Sequence, residues 1–335
     1  MSNDDRLVPV FIPPLAALLA QAEQIKGGPL TETEVVQVRD KAACVMMDIA
    51  AANALAQPRG YRDVNPENCW ADWHRLRVQM TGRGYLPKSI LCLPGNHDLD
   101  ARCLPILEEE GVEHEFRAQD ERMPTAFRAS QPGVGSTLTA EDYQLISAHT
   151  RVLYVVSNDF TAQDAPAVSN AFLRIGSRLL RSGALAMKCE GSGIAHSRKR
   201  WLELAEQTMQ YPMDSPDFWS AMFQAYVQYP LFDGDDFNTC GMHLLGQPDV
   251  IVSSSLLQQA LGRCGAEANS AAYLFSSFCM YVLVECPDNS FTSGHTFRPD
   301  SGWPRLRVEW EECKYCTPEE FFFNPFGTWR FAALK

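Results

Sequence analysis

The sequence predicts an α+β fold in two domains, a helix-rich N-terminal domain and a larger, mixed-sheet α+β C-terminal domain. The chain has 335 residues, and a single hydrophobic core rarely grows beyond about 250–300 residues. Hydrophobic residues make up 46% of the chain, which excludes a disordered protein. Helix and strand patterns follow one another irregularly in the second half, unlike the regular alternation of a doubly wound sheet.

The N-terminal segment predicts two helices. Residues 15–24 form a short apolar pattern that ends before two glycines. Thr31 and Glu34 then have the spacing of a capping box, with Thr31 at the N-cap. From there the sequence predicts one helix over residues 32–56, which ends before Pro58. Apolar side chains recur through it at the spacing of a buried helical face: Val35, Val38, Ala42, Val45, Met46 and Ile49.

The remainder of the first half predicts short elements. A helix at 70–76 interrupts an irregular stretch. A strand at 90–93, a helix at 101–110 and a strand at 112–116 then predict a small βαβ-like unit. A segment rich in proline, glycine and serine follows and predicts a linker. The predicted division is an N-terminal domain at 1–130, a linker at 131–138 and a C-terminal domain at 139–335.

The C-terminal domain is predicted to mix strands and helices around one core. Helical spacing of apolar residues predicts four helices, at 165–182, 197–209, 218–229 and 266–278. Apolar runs and alternating patterns predict six strands, at 152–156, 184–188, 239–245, 250–253, 280–284 and 306–310.

The charge balance narrows the class of partner. The chain has 41 acidic and 29 basic side chains, a net charge of −12. Phosphate binding needs clustered lysine and arginine, so direct nucleic-acid binding is disfavoured, whereas a basic protein partner is permitted. No stretch approaches the ~20 apolar residues of a membrane span, and the acidic start is unlike a secretory signal. We expect a cytoplasmic protein in which most of the eleven cysteines are reduced and buried.

A Gly-Asn-His-Asp block that contains Asn96, His97 and Asp98 resembles one signature block of calcineurin-like metallophosphoesterases. Such enzymes use two metal ions to polarise a phosphate ester and activate water. The other ligand blocks are missing here, because the upstream Asp-x-His at 72–74 lies on a predicted helix and the downstream Gly-His at 294–295 lacks a second histidine. A metal-dependent phosphoesterase therefore remains only an alternative function.

A simple turn explains the same block without a metal. In that interpretation Gly95 and Asn96 adopt positive φ, and Asp98 or Asp100 caps the following helix. The sequence favours this turn over the phosphoesterase.

The pair Cys313 and Cys316 forms a single C-x-x-C. A structural zinc ion needs four ligands, and a set completed by Cys286 and His295 matches no standard zinc-site spacing. Two thiols without metal are favoured, although metal binding by this pair stays open at this point. No phosphate loop and no Ser-His-Asp spacing occurs elsewhere, so the sequence predicts no catalytic residue, no cofactor and no enzyme.

Surface charge offers the remaining candidates for a partner-binding site. Acidic groups beside aromatic side chains suit docking onto a basic protein, although each cluster can also be an ordinary solvated surface. The candidates form three clusters, which are Glu108, Glu109, Glu110 and Glu113; Asp233, Asp235 and Asp236; and Glu309, Glu311 and Glu312.

Two parts of the chain resemble bacterial protein families. Residues 11–15, 28–35 and 39–42 resemble the N-terminus of proteins encoded beside type VI secretion effectors. The segment Gly-Met-His-Leu-Leu-Gly-Gln-Pro-Asp at 241–249, with residues 293–297, resembles a bacterial domain family of unknown function.

This resemblance implies a type VI secretion system immunity protein, a cytoplasmic antitoxin. Such a protein binds a cognate nuclease effector, which is a basic protein toxin, and neutralises it by occlusion without catalysis. The resemblance supplies no functional residues. A structural or adaptor protein of the secretion system is a further alternative, and the oligomeric state is left open.

Overall fold

The computed structural model describes residues 7–56, 59, 61, 63–81, 85–130, 138–261, 267–286, 291–318 and 320–334. The fold is a mixed α+β arrangement with several sheets. The chain divides into two compact units, Met1–Tyr85 and Leu86–Lys335.

The first unit combines a two-stranded antiparallel sheet with helices. Its elements are β1 (Leu7–Phe11), α1 (Leu15–Lys26), α2 (Glu32–Lys41), β2 (Cys44–Asp48), α3 (Ile49–Ala56), a 3-10 turn (Pro66–Asn68) and α4 (Cys69–Thr81). Leu15, Leu19, Val35 and Trp73 are fully buried in its core. The predicted capping box is confirmed, because Thr31 N donates to Glu34 Oε2 at 2.7 Å and the Thr31 hydroxyl accepts the N–H of Glu34.

The prediction of one helix over residues 32–56 is wrong. Helix α2 ends at Lys41, and the chain continues as strand β2 before α3 begins. Strand β2 pairs with β1, with Val45 opposite Val10. Val45 and Met46, which the helical spacing placed on a buried face, are exposed. Pairing with a distant strand has overridden the local helical pattern.

The second unit contains a five-stranded sheet with helices on both faces. Its elements up to residue 226 are β3 (Ile90–Gly95), α5 (Leu99–Glu110), β4 (Glu113–Ala118), α6 (Met123–Ala129), α7 (Ala140–Ser147), β5 (Arg151–Val156), α8 (Ala165–Arg181), β6 (Ala186–Cys189), β7 (Ala195–Ser197), α9 (Arg198–Gln210) and α10 (Pro216–Tyr226). The strand order is β4-β5-β3-β6-β7, and every neighbouring pair is antiparallel.

The division between the units falls earlier than the sequence predicts. Strand β5 lies beyond the predicted linker, yet it pairs with both β3 and β4 and separates them in the sheet. The predicted βαβ-like unit therefore has a third strand inserted between its two strands, and residues 90–118 share a sheet with residues 151–197. Residues 131–137 of the predicted linker lie outside the described residues.

A second, six-stranded sheet completes this unit. Its elements are β8 (Gln228–Phe232), β9 (Asp236–Cys240), a 3-10 turn (Met242–Leu245), β10 (Asp249–Ser253), α11 (Ser254–Leu261), α12 (Glu267–Val284), β11 (Thr296–Phe297), β12 (Leu306–Glu311) and β13 (Thr328–Ala333). The strand order is β11-β12-β13-β10-β9-β8, and β10 and β13 are the one parallel pair among the pairings in this described sheet.

Two predicted strands of this region are corrected. Residues 280–284 continue helix α12, because its buried side chains Phe275, Cys279 and Val282 keep the helical spacing of three to four residues. The strand predicted at 239–245 ends at Cys240, and a 3-10 turn follows.

The five-stranded sheet is covered unequally. Leu91, Leu153 and other residues of one face pack in the main core with α5, α8 and α9. Cys92 and Val152 on the other face pack in a smaller cluster with residues of α6 and α7. Strand β4 is one edge of this sheet, and it carries part of the predicted acidic surface.

Candidate partner-binding surface

The acidic loop between β8 and β9 uses much of its charge within the protein. Asp233 Oδ1 accepts the backbone N–H groups of Asp236 (2.8 Å) and Asp235 (3.0 Å). These hydrogen bonds hold the pKa of the Asp233 carboxyl below its usual value. Asp236 pairs with Arg330 at 3.0 Å and accepts the Tyr315 hydroxyl at 3.2 Å. Within this loop, the Asp235 side chain is exposed and has no partner among the described residues.

The cluster on β12 is also engaged in intramolecular contacts. Glu309 accepts the Ser293 hydroxyl at 2.8 Å and forms an ion pair with Arg307. Glu312 is exposed immediately after β12 ends. The ion pair between Glu309 and Arg307 reduces the negative charge that β12 presents to a partner.

Arg330 joins these two clusters. Its Nε donates to Glu311 Oε1 at 2.8 Å, while its Nη1 donates to Asp236. Glu311 also contacts Lys314 at 3.1 Å. The structure thus brings Asp236 and Glu311 together around one guanidinium, where they stabilise the six-stranded sheet rather than form an open acidic surface.

The remaining cluster lies where α5 ends and β4 begins. Glu109 and Glu110 both form ion pairs with Arg178 of α8. Glu108 and Glu113 are exposed, and their side chains have no ion pair or hydrogen bond with any described residue. The last turn of α5 has no basic residue that would offset the negative end of the helix dipole. The dipole therefore adds to the negative potential of Glu108.

Strand β4 presents an unpaired edge beside these carboxylates. It is the outermost strand of its sheet, and its backbone forms no hydrogen bond with described residues other than those of β5. Exposed strand edges can pair with a strand of another chain. Glu113 and Glu115 alternate along one face of β4, where Glu115 contacts Arg117 at 2.6 Å. We call Glu108, Glu113 and strand β4 the acidic edge.

A row of polar residues that the sequence analysis missed crosses the sheet next to the acidic edge. In register, Glu115 lies opposite Tyr154, Tyr154 opposite Cys92, and Cys92 opposite Lys188. Lys188 Nζ contacts Glu190 Oε2 at 2.5 Å, and both side chains are largely buried. The row comes from strands far apart in the sequence, so only strand pairing reveals it.

The protonation of Cys92 and Tyr154 in this row does not favour either group as a nucleophile. Burial raises the pKa of the Cys92 thiol and of the Tyr154 hydroxyl above their usual values. Both groups are therefore protonated at neutral pH, whereas a nucleophilic cysteine acts as the thiolate. The Arg117 guanidinium lies over the Tyr154 ring, 5.0 Å from its centre, and connects this row to the acidic edge.

The described contacts of the phosphoesterase-like turn are local. Asn96 and His97 are exposed where β3 meets α5, and the Asn96 carbonyl accepts the N–H of Leu99. Asp98 occupies the N-cap position of α5 but makes no capping hydrogen bond, and it pairs with Arg102 at 2.6 Å. Among the described residues, no group of three or more histidine, cysteine, aspartate or glutamate side chains could hold a metal ion.

Two details of the predicted turn are corrected. Gly95 belongs to β3 and does not adopt a positive φ. Instead, a Cβ at this position would lie 2.6 Å from Leu99 Cδ1, so any larger residue would require the Leu99 side chain to move. Asp100 does not cap α5 either, because its carboxylate pairs with Arg151 of β5.

The C-x-x-C pair lies between β12 and β13. Cys313 and Cys316 are half-buried free thiols, and burial raises the pKa of Cys316 to about 11. His295, one of the possible further ligands, is held by Thr292, whose hydroxyl is 2.9 Å from His295 Nε2. The described residues thus do not bring a four-ligand set together around these two thiols.

The motif at 241–249 forms a buried turn around one carboxylate. Every residue from 241 to 249 is buried. Asp249 accepts hydrogen bonds from Asn324 Nδ2 (2.7 Å), the Thr239 hydroxyl (2.9 Å) and the backbone N–H of Met242 (3.2 Å). Burial raises its pKa to about 6. Residues 241–249 are therefore part of the core of the second unit and are not accessible to a partner.

Comparison of the chain with protein-family models, with curated proteins and with solved structures gave no match. In the described part of the chain, no helix combines the length and apolar character needed to cross a bilayer.

Proposed function

We propose that this chain is a cytoplasmic immunity protein that binds a basic nuclease toxin and neutralises it by occlusion, without catalysing a reaction. The acidic edge carries the proposal. There, exposed carboxylates without intramolecular partners lie beside a strand whose outer edge is unpaired. A nuclease presents basic groups to the phosphates of its substrate, so its surface complements Glu108 and Glu113.

Recognition would have two physical components. Complementary charges raise the association rate and do so most strongly at low ionic strength. The outer backbone groups of β4 can then accept an extended segment of the toxin as an added strand, which supplies main-chain hydrogen bonds. Occlusion of the toxin needs no reactive group on this chain.

The primary test is co-expression with the nuclease encoded by a neighbouring gene. We expect a 1:1 or 2:2 complex by size-exclusion chromatography with light scattering, and rescue of cells that express the toxin. The absence of both the complex and the rescue would remove the proposal.

A second measurement locates the contact. We expect the variant Glu108→Lys/Glu113→Lys to lower the association rate about tenfold or more at low salt, because steering by complementary charge is lost. The control Glu121→Lys/Glu141→Lys makes the same charge change at two exposed residues elsewhere in this unit and should have little effect. Equal rates for both variants would place the toxin on another surface.

A further inference from the structure

A groove of about 600 Å³ lies in the second unit, beside the edge strand β11 of the six-stranded sheet. One wall is a stripe along α12 that contains Ser277, Met280, Tyr281 and Val284. These positions are spaced by three and four residues, so they share one face of the helix. Thr296 and Phe297 of β11 and the next two residues of the chain line the groove as well.

The apolar part of the lining is only half covered. Met280, Tyr281, Val284 and Phe297 are half-buried, whereas the core-facing residues of α12 are fully buried. The Phe297 ring contacts the rings of Phe278 and Tyr281, with centroids 5.1 and 5.5 Å away. These aromatic rings form the base of the groove and pack with the core. The half-buried apolar side chains of the lining leave apolar surface in contact with water.

Two unpaired guanidinium groups border this apolar lining. Arg298 and Arg305 line the groove, are exposed and form no ion pair with a described residue. Glu285 lies in the same lining. A guanidinium binds a carboxylate through two parallel hydrogen bonds, so these arginines are suited to an acidic group even though the chain as a whole is acidic.

We propose that this groove binds an extended peptide segment of a partner protein, in which an acidic side chain contacts Arg298 and Arg305 and neighbouring apolar side chains contact the α12 stripe. From Ser277 to Val284 the helix rises about 10 Å, which corresponds to roughly three residues of extended chain. The outer edge of β11 lies alongside, where such a segment can pair as an added strand. The groove has the opposite charge preference from the acidic edge, so the two surfaces do not compete for the same ligand.

The test is a phage-displayed random peptide library selected on the purified full chain. We expect enrichment of peptides in which aspartate or glutamate is flanked within three residues by large apolar side chains. Binding of an enriched, fluorescein-labelled peptide is then measured by fluorescence anisotropy. The variant Arg298→Glu/Arg305→Glu should bind it about tenfold or more weakly, and increasing salt should weaken binding to the unmodified protein.

Matched variants separate this site from a general charge effect. Arg174→Glu/Arg198→Glu changes two exposed arginines of α8 and α9 that have no ion pair with described residues, and it should bind the peptide as the unmodified protein does. Met280→Lys should weaken binding without loss of the native circular dichroism spectrum. Failure to enrich acidic peptides, or equal binding by Arg298→Glu/Arg305→Glu, would overturn the proposal.

Two further outcomes would assign the groove to a different occupant and so also overturn the proposal. One is a homodimer in light scattering that Arg298→Glu/Arg305→Glu converts to a monomer, which would place a second copy in the groove. The other is binding of oleate, abolished by the same variant, when no peptide is enriched. Neither outcome depends on the nuclease, so the immunity proposal is tested separately.

Discussion

Arg330 Nη1 donates a hydrogen bond to Asp236 Oδ2 across 3.0 Å, although strand β10 separates their two strands in the sheet. The same guanidinium donates to Glu311. A single arginine therefore pairs with one carboxylate at the end of the acidic loop, Asp236, and with one carboxylate of the cluster on β12, Glu311. Among the described residues, Asp235 of that loop stays exposed without a side-chain partner, as do Glu108 and Glu113 at the acidic edge.

Replacing Asp236 by lysine should destabilise the second unit. The side chain is mostly buried beside Arg330, so a second cation there is repelled and leaves Arg330 with fewer acceptors. We expect the free energy of unfolding to fall by about 1–3 kcal/mol in urea denaturation. Asp235→Lys, at the exposed neighbour without a side-chain partner, is the control and should stay within about 0.5 kcal/mol. Equal losses would mean that the Arg330 contact contributes nothing to stability.

Replacing Glu108 by lysine should raise stability while it weakens partner binding. Glu108 is in the last turn of α5, where a negative charge opposes the helix dipole and a positive charge complements it. We expect a gain of about 0.3–1 kcal/mol in the free energy of unfolding, together with slower association with a basic toxin at low salt. Glu109→Lys removes an ion pair with Arg178 and should give no such gain. A destabilised Glu108→Lys protein would contradict this prediction.

The stability of the second unit should fall as the pH drops from 7 to 5. Burial lowers the pKa of His243 to about 3 and that of His196 to about 4. The unfolded chain binds a proton at each histidine below about pH 6.5 and the native state does not, so acidification favours unfolding. Asp249 acts in the opposite direction, because its raised pKa lets the native state take up a proton first. The loss of stability from the two histidines is larger than the gain from the one aspartate, so the free energy of unfolding falls on acidification.

We expect the free energy of unfolding to be lower at pH 5 than at pH 7 by on the order of 2 kcal/mol. His243→Gln has no titrating group at this position, so its pH dependence should be markedly weaker. Urea denaturation at both pH values measures the difference. A variant with the same pH dependence as the unmodified protein would show that His243 is protonated in the native state.

Replacing Gly246 by alanine should be severely destabilising. Gly246 has a φ of +76°, and a Cβ there would lie 2.1 Å from the backbone carbonyl oxygen of Ala162. The control is Gly111→Ala, at a φ of +62° with nothing within 4 Å of the added Cβ. Gly111→Ala should cost about 1–2 kcal/mol for the left-handed backbone, and Gly246→Ala clearly more. Similar losses of stability would show that the Ala162 backbone moves aside at little cost.

Local patterns predicted the elements whose stabilising contacts lie within a few residues. The capping box at Thr31 and Glu34 marked the start of α2 correctly, and the apolar run at 152–156 corresponds to β5. Both features depend on short-range hydrogen bonds or on burial, which the residue types indicate directly. The mixed α+β class followed from the same patterns, since helix and strand periods differ.

Long-range pairing decided what these patterns left ambiguous. The segment 44–48 became a strand because β1 pairs with it, and β5 entered the sheet between β3 and β4 from beyond the predicted linker. The acidic residues show the same limit. Sequence identified the clusters, but the positions of the distant Arg330 and Arg178 decided that Asp236, Glu311, Glu109 and Glu110 are paired within the protein. A charge count depends on composition alone, whereas the charge that a surface presents depends on which distant side chains meet in the folded chain.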